Sequence, residues 1–255
     1  MSTIQPKLSG LKAENFQKVV KGKETDLYTL VNKDGYEVSI TNYGGTIVAI
    51  MVPDKNGNVA NVIQAHDNID AVINSPEPYL STLIGRFGNR IRNGKFTLNG
   101  KEYQLAINNG PNALHGGPTG LHAQVWDAYQ AGEQNLTLNI VLPYGHEGFS
   151  GEVKIAVEFT WTDDNELIIE YLATTNKKTI INLTHHAFFS LQGIANPTPV
   201  INDQIMEMNA DFFIPVDETC IPTGEILKVE GTPFDFRTPK TIGQDIDADD
   251  EQIKN

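Results

Sequence analysis

From Leu27 onward, apolar and polar positions alternate in short runs cut by turn residues. Residues 28–31, 36–40 and 46–52 are β-favouring runs separated by Asp34-Gly35 and Gly44-Gly45, and Asp54-Lys55-Asn56-Gly57 closes a hairpin into 59–63. Residues 67–73 are the best short helix, which Pro76 and Pro78 keep from extending. In 95–105, Asn99-Gly100 suits the positive φ angles of a two-residue turn, and that register sets Phe96 opposite Tyr103. Further strands are expected at 125–130 and 135–142. Val153, Ile155, Val157, Phe159 and Trp161 alternate with Lys154, Ala156, Glu158 and Thr160, so this strand has one buried face; Asp163-Asp164-Asn165 turns it into another at 166–174. Later runs at 204–208 and 212–215 are shorter. Many short strands with almost no helix predict an all-β fold, a large antiparallel sandwich or barrel.

One stretch stands apart. Residues 180–193 read Ile-Ile-Asn-Leu-Thr-His-His-Ala-Phe-Phe-Ser-Leu-Gln-Gly. Neighbours on an extended strand point to opposite faces, so His185 and His186 cannot both line one cavity. Asn182, Thr184, His186 and Phe188 share a face, which is the lining of a polar-ligand pocket. The competing reading is a buried histidine satisfied by backbone partners.

Composition narrows the classes. The chain has 255 residues and a net charge of -13, from 32 acids and 19 bases, which repels phosphate backbones and anionic membranes; neither nucleic acid nor a membrane is expected as a partner, and a neutral small molecule fits better. The single cysteine, Cys220, allows no internal disulfide and suits a reducing compartment. No apolar run has the length of a signal peptide core or a membrane span, so a cytoplasmic protein is expected. Residues 1–26 read as a polar lead-in with weak helical propensity around 11–20, and residues 27–255 as one domain without internal repeats.

Besides the His186 stretch, two segments are rich in groups that suit a sugar-sized ligand. Gly85-Arg86-Phe87-Gly88-Asn89-Arg90-Ile91 places two arginines and an asparagine among glycines, and Asn108-Asn109-Gly110-Pro111-Asn112-Ala113-Leu114-His115-Gly116-Gly117 is a turn-rich loop ending on a histidine. A solvated or carboxylate-paired arginine and a turn-capping histidine are the alternatives. His115 and His122 are badly spaced for a metal, no serine sits on a nucleophile elbow (Phe149-Ser150-Gly151 is an ordinary turn), and no glycine run has nucleotide-binding spacing. Neither a metal nor a cofactor is therefore expected, and His66 and His146 read as surface residues.

Gly-Arg-Phe-Gly-Asn-Arg-Ile, Asn-Asn-Gly-Pro-Asn-Ala-Leu-His-Gly-Gly with Val125-Trp126 downstream, and Asn-Leu-Thr-His-His-Ala-Phe-Phe-Ser-Leu, in this order, closely resemble the aldose 1-epimerases (galactose mutarotases). Thr41-Asn42-Tyr43-Gly44-Gly45, Phe213-Ile214-Pro215-Val216-Asp217 and Pro222-Thr223-Gly224 are similar too. The resemblance implies a large antiparallel β-sandwich of galactose-mutarotase type with an open sugar cleft, and interconversion of the α and β anomers of galactose or glucose. It implies that Asn89 and Arg90 contact the sugar, that His115 is the first active-site histidine, and that His186 is the general acid. Ring opening needs a proton on the ring oxygen and removal of one from the anomeric hydroxyl, and an imidazole with a reference pKa near ~6.5 suits the first task. His185, Ala187, Phe188 and Ser190 depart from the family pattern, and Phe188 removes a hydroxyl from the cleft wall. A non-catalytic sugar-binding or sugar-sensing protein and a sugar-phosphate epimerase are the alternative readings.

The resemblance further implies a Gly-Tyr-Asp-His segment and a late strand bearing the general-base glutamate, and neither is found in these 255 residues. The acidic stretch 245–255 reads as a solvated connector. A C-terminally incomplete sandwich is thus expected, with a second chain or partner covering its open edge; Glu147 and Asp217 are the weaker candidates for the base.

Overall fold

The computed structural model describes residues 4–195 and 200–254. Residues 1–3 of the lead-in and Asn255 at the acidic end therefore lie outside the described residues. The weak helical propensity of the lead-in yields no α-helix among its described residues. Ala13–Phe16 makes a single 3-10 turn that buries Ala13 and Phe16, and then Lys18–Val20 (β1) pairs with Lys23–Thr25 (β2). Ahead of that turn, the Lys7 and Leu8 N–H groups donate to the Glu37 carboxylate (2.7 and 3.0 Å), which is how a carboxylate only 1% exposed is satisfied.

Leu27–Val31 (β3), Glu37–Thr41 (β4), Thr46–Pro53 (β5) and Val59–Asn61 (β6) form one antiparallel sheet in sequence order, as the alternation and the Asp-Gly and Gly-Gly breaks predicted. The turn before β5 needs glycine: a Cβ on Gly44 would stand 2.4 Å from the His122 carbonyl oxygen, and one on Gly45 2.3 Å from Leu83 Cδ1. The predicted helix is Ile69–Ile73 (α1), capped by Asn68, whose side chain accepts from the Ala71 N–H.

Short pairings follow: Leu83–Ile84 (β7), Arg90–Ile91 (β8), Lys95–Leu98 (β9), Lys101–Gln104 (β10) and Ala113–Leu114 (β11). β9 and β10 make the Asn-Gly hairpin, with Phe96 opposite Tyr103 and their rings stacked at 5.0 Å. Asp127–Ala131 (β12), Asn135–Leu142 (β13), Val153–Trp161 (β14) and Leu167–Thr175 (β15) form the second four-stranded antiparallel sheet, again in sequence order. Its apolar face packs on the first sheet: Leu30, Val38 and Ile40 meet Leu138, Ile140, Val157 and Phe159 in one cluster, and the buried Trp161 indole donates to the Tyr36 carbonyl (2.9 Å).

After β15 the described residues form only two-residue strands: Thr184–His185 (β16), Ile205–Met206 (β17), Phe212–Phe213 (β18), Leu227–Lys228 (β19) and Lys240–Thr241 (β20). β16 pairs with β7, β17 with β20, and β18 with β19. The acidic stretch is not simply a connector. Glu251–Lys254 is helical, and Gln252 bonds both the N–H and the carbonyl of Val216 (2.7 and 2.9 Å). Among the described residues no helix is long and apolar enough to cross a membrane.

Candidate active site

The His186 stretch runs extended between two other segments although only β16 forms a regular ladder. Asn182 N–H donates to the Arg86 carbonyl (2.9 Å), His186 N–H to Thr82 (2.9 Å) and Ser190 N–H to Val62 (2.8 Å), while Ser81 and Gln64 N–H groups donate to the His186 and Phe188 carbonyls. Between Leu183 and Ala187 this backbone alternates between core and cleft. Leu183 and Ala187 pack on the main core, and the His185 ring between them meets Phe159 edge-on at 6.2 Å. His185 Nε2 lies 3.3 Å from the Gly45 carbonyl, which can only accept, so Nε2 carries the proton. Burial pushes the His185 pKa down to about 4 and keeps it neutral. Asn182 and Thr184 are exposed, and His186 faces the same way, so the two histidines separate as the strand period requires.

His115 reaches the same place from a loop. Its predecessor Leu114 pairs with Arg90 across β8 and β11, and Asn108 clamps Leu114, accepting from its N–H (2.7 Å) and donating to its carbonyl (3.0 Å). His115 has φ of 53° and is followed by Gly116 and Gly117 at 87° and 92°. A side chain at 116 is excluded, because a Cβ there would stand 2.0 Å from the Gly85 oxygen. The Asn89 N–H donates to His115 Nδ1 (2.9 Å) and the His115 N–H to the Asn89 carbonyl (3.0 Å). Nδ1 is thus an acceptor and Nε2–H the free donor of a neutral ring. Desolvation, helped by His186, Arg90 and His122, lowers the His115 pKa to about 4.

The rings converge. His115 and His186 lie 5.2 Å apart, edge to face, and Phe188 stacks on His186 at 4.9 Å. Arg90 is held beside them: its Nε donates to Asn109 Oδ1 (2.9 Å) and its Nη1 to Asn89 Oδ1 (3.4 Å). All four residues singled out from the sequence, His115, His186, Asn89 and Arg90, therefore meet. Sequence reasoning missed Tyr79, whose ring contacts His115 at 4.6 Å and His122 at 4.7 Å; it lies in a Pro-flanked loop without periodicity.

Other groups fall elsewhere. Arg86 is neither solvated nor carboxylate-paired: it is 1% exposed, donates to the Ser150 and Gly151 carbonyls (2.7 and 3.1 Å), and lies over the Phe149 ring at 5.3 Å. The expectation that His66 and His146 are surface residues is corrected. Both are half-buried, His66 Nε2 is cut off from solvent, and burial lowers the His146 pKa. Glu147 accepts from Thr119 N–H (2.8 Å) and from its hydroxyl, and Asp217 from Arg92 (3.0 Å) and its own turn. Among the described residues no cluster of three or more His, Cys, Asp or Glu side chains is placed to hold a metal ion.

The aldose 1-epimerase family model matches residues 26–254. The chain belongs to the aldose 1-epimerase family. It is 41% identical to galactose mutarotase of Bos taurus over 214 residues, 84% of this chain and 61% of that protein. Aldose 1-epimerase of Escherichia coli (strain K12) is 33% identical over 239 residues, 91% of this chain and 66% of that one. Among solved structures, the aldose epimerase homologue of C. elegans superposes with a TM-score of 0.80 at 33% identity, over 86% of this chain and 66% of that chain. Galactose 1-epimerase of Lactobacillus acidophilus NCFM does so at 0.82 and 29% identity, over 93% and 68%. The chain thus spans about 61% of the length of the galactose mutarotase it matches. Within an aldose 1-epimerase framework, the imidazole pair lies with Asn89 and Arg90, and His185 turns the other way into the core.

Proposed function

We propose that this cleft binds an aldose, galactose or glucose, and that the protein interconverts its α and β anomers. The observation that carries the reading is the neutral His115, with Nε2–H free, set against His186 and Arg90. His186 gives its proton to the ring oxygen while a base takes the proton of the anomeric hydroxyl. The bond from C1 to the ring oxygen breaks, leaving an aldehyde; C1 turns about the C1–C2 bond, and reclosure on its other face returns both protons. His115 Nε2–H and the Arg90 guanidinium donate to sugar oxygens and to the charge that develops. Glu147 is committed to Thr119 and Asp217 to Arg92, so we assign the base to a carboxylate from a further segment or a second chain. The acidic net charge and the single cysteine support a neutral ligand and a reducing, cytoplasmic setting.

Polarimetry on fresh α-glucose, with the 255-residue chain alone and with a separately supplied C-terminal segment of a relative, tests this. Exchange is expected when the segment is present. His186→Ala should lower the rate by about 100-fold or more, and His185→Asn should leave it near wild type. Equal losses from the two substitutions would sink the assignment of the acid, and full catalysis by the isolated chain would return the base to its own carboxylates.

A further inference from the structure

Tyr79 stands at the junction of the cleft without a part in the chemistry above. Its ring meets His115 edge-on at 4.6 Å and 69°, and His122 at 4.7 Å and 66°. Its hydroxyl accepts from Asn108 Nδ2 (3.1 Å), the same side chain that holds both backbone groups of Leu114, one residue before His115. The turn that carries Tyr79 also serves the other histidine. The Tyr79 carbonyl accepts from the N–H and the hydroxyl of Thr82 (3.3 and 3.2 Å), and the Thr82 carbonyl in turn accepts the His186 N–H (2.9 Å).

We propose that Tyr79 is the positioning residue that holds the His115 imidazole in its Nε2–H tautomer with that donor turned into the cleft, and that the Tyr79 turn fixes its spacing from His186. The proposal rests on reading the cleft as an anomer-exchange site. One hydrogen bond, from Asn89 N–H to Nδ1, does not by itself stop an imidazole from swinging about its side-chain torsions, and His115 sits on a left-handed loop residue with no regular structure after it. The rings of Tyr79 and His186 stand against the His115 ring at 4.6 and 5.2 Å, both at steep angles, and restrict its turning. Tyr79 packs directly on His115, whose burial favours the neutral ring, with His186, Arg90 and His122 as the charged or titratable neighbours. An imidazole free to flip would offer Nδ1 or Nε2 to the sugar at random, and misplacement of that size is costly to an oriented reaction.

Histidine-selective 15N NMR on the full chain reads the proposal without needing turnover. In the wild type His115 should show a hydrogen-bonded Nδ1 acceptor, a protonated Nε2 and a pKa near the value of about 4. Tyr79→Phe keeps the ring and should preserve that signature, the conservative variant rescuing the position. Tyr79→Leu and Tyr79→Met, used together so that one of them stands in if the other fails to fold, should mix the two tautomers and move the pKa up toward the ordinary 6.5. An unchanged His115 signature in a folded Leu or Met variant overturns the proposal, whatever the catalytic result. Absence of aldose binding with the predicted His115 changes intact would instead strike the functional reading and leave the positioning role standing.

Discussion

Residues 27–175 and residues 176–254 draw on the same kinds of side chain and treat them differently. In the first region two meander sheets face each other, and Leu30, Ile40, Leu138, Val157, Phe159 and Trp161 are 1% exposed or less. Among the described residues only Ile221 and Val229 are buried apolar side chains beyond the second sheet, while Leu191, Ile205, Phe212, Ile214 and Ile226 stay 53 to 73% exposed. The difference is not hydrophobicity. Strand alternation makes an apolar face, but a face is buried only when a second layer stands opposite it. β3–β6 and β12–β15 supply that layer to each other; the two-residue pairings after β15 do not.

The contrast should appear first in stability. Phe159→Ala should cost about 3–5 kcal/mol and Leu138→Ala about 2–5 kcal/mol in urea unfolding, through lost transfer energy and the cavity left behind. Acid should act on the first region next, because His115 and His122 lie in it and His185 packs against its Phe159, all three with pKa values lowered to about 4. A histidine with a depressed folded-state pKa favours the folded chain above its unfolded value of 6.5. That contribution is lost as the pH falls from 6.5 toward 4, where the unfolded chain binds the extra protons. The urea midpoint should therefore be flat above pH 6.5 and fall below it, less steeply in His185→Asn; a midpoint that rose on acidification would refute the neutral assignment. The smallest change is expected from Ile214→Ser and Ile205→Ser, within about 0.5 kcal/mol of wild type. If Ile205→Ser proved as costly as Leu138→Ala, the second region would have a covering layer in solution, and the comparison would fail.

Much of this was legible because period-two patterns and turn chemistry are local. The Asn99-Gly100 hairpin with Phe96 opposite Tyr103, the two meanders and the separation of His185 from His186 all follow from spacing along one segment. What stayed hidden depends on who stands opposite. Tyr79 touches His115 and His122 although both lie more than 30 residues further along the chain. Arg86 reads as a surface cation until its partners prove to be the carbonyls of Ser150 and Gly151. Half-buried His66 and His146 lie in loops whose polarity announces solvent. Gln252 looks like part of an acidic tail, yet its amide completes the backbone of Val216.

The meander order also sets a timetable for assembly. Each pairing in the two large sheets joins strands adjacent in sequence, so it closes a short loop at small entropic cost. The imidazole pair is different, since its strand is tied back across a separation of 107 residues, as in the bond from Phe188 N–H to Ser81 Oγ. Refolding should then pair β13 with β14 before His186 meets His115. Hydrogen-exchange protection of the β13 and β14 amides ahead of the His186 amide would show that order, and simultaneous recovery would show that the cleft takes part in nucleation.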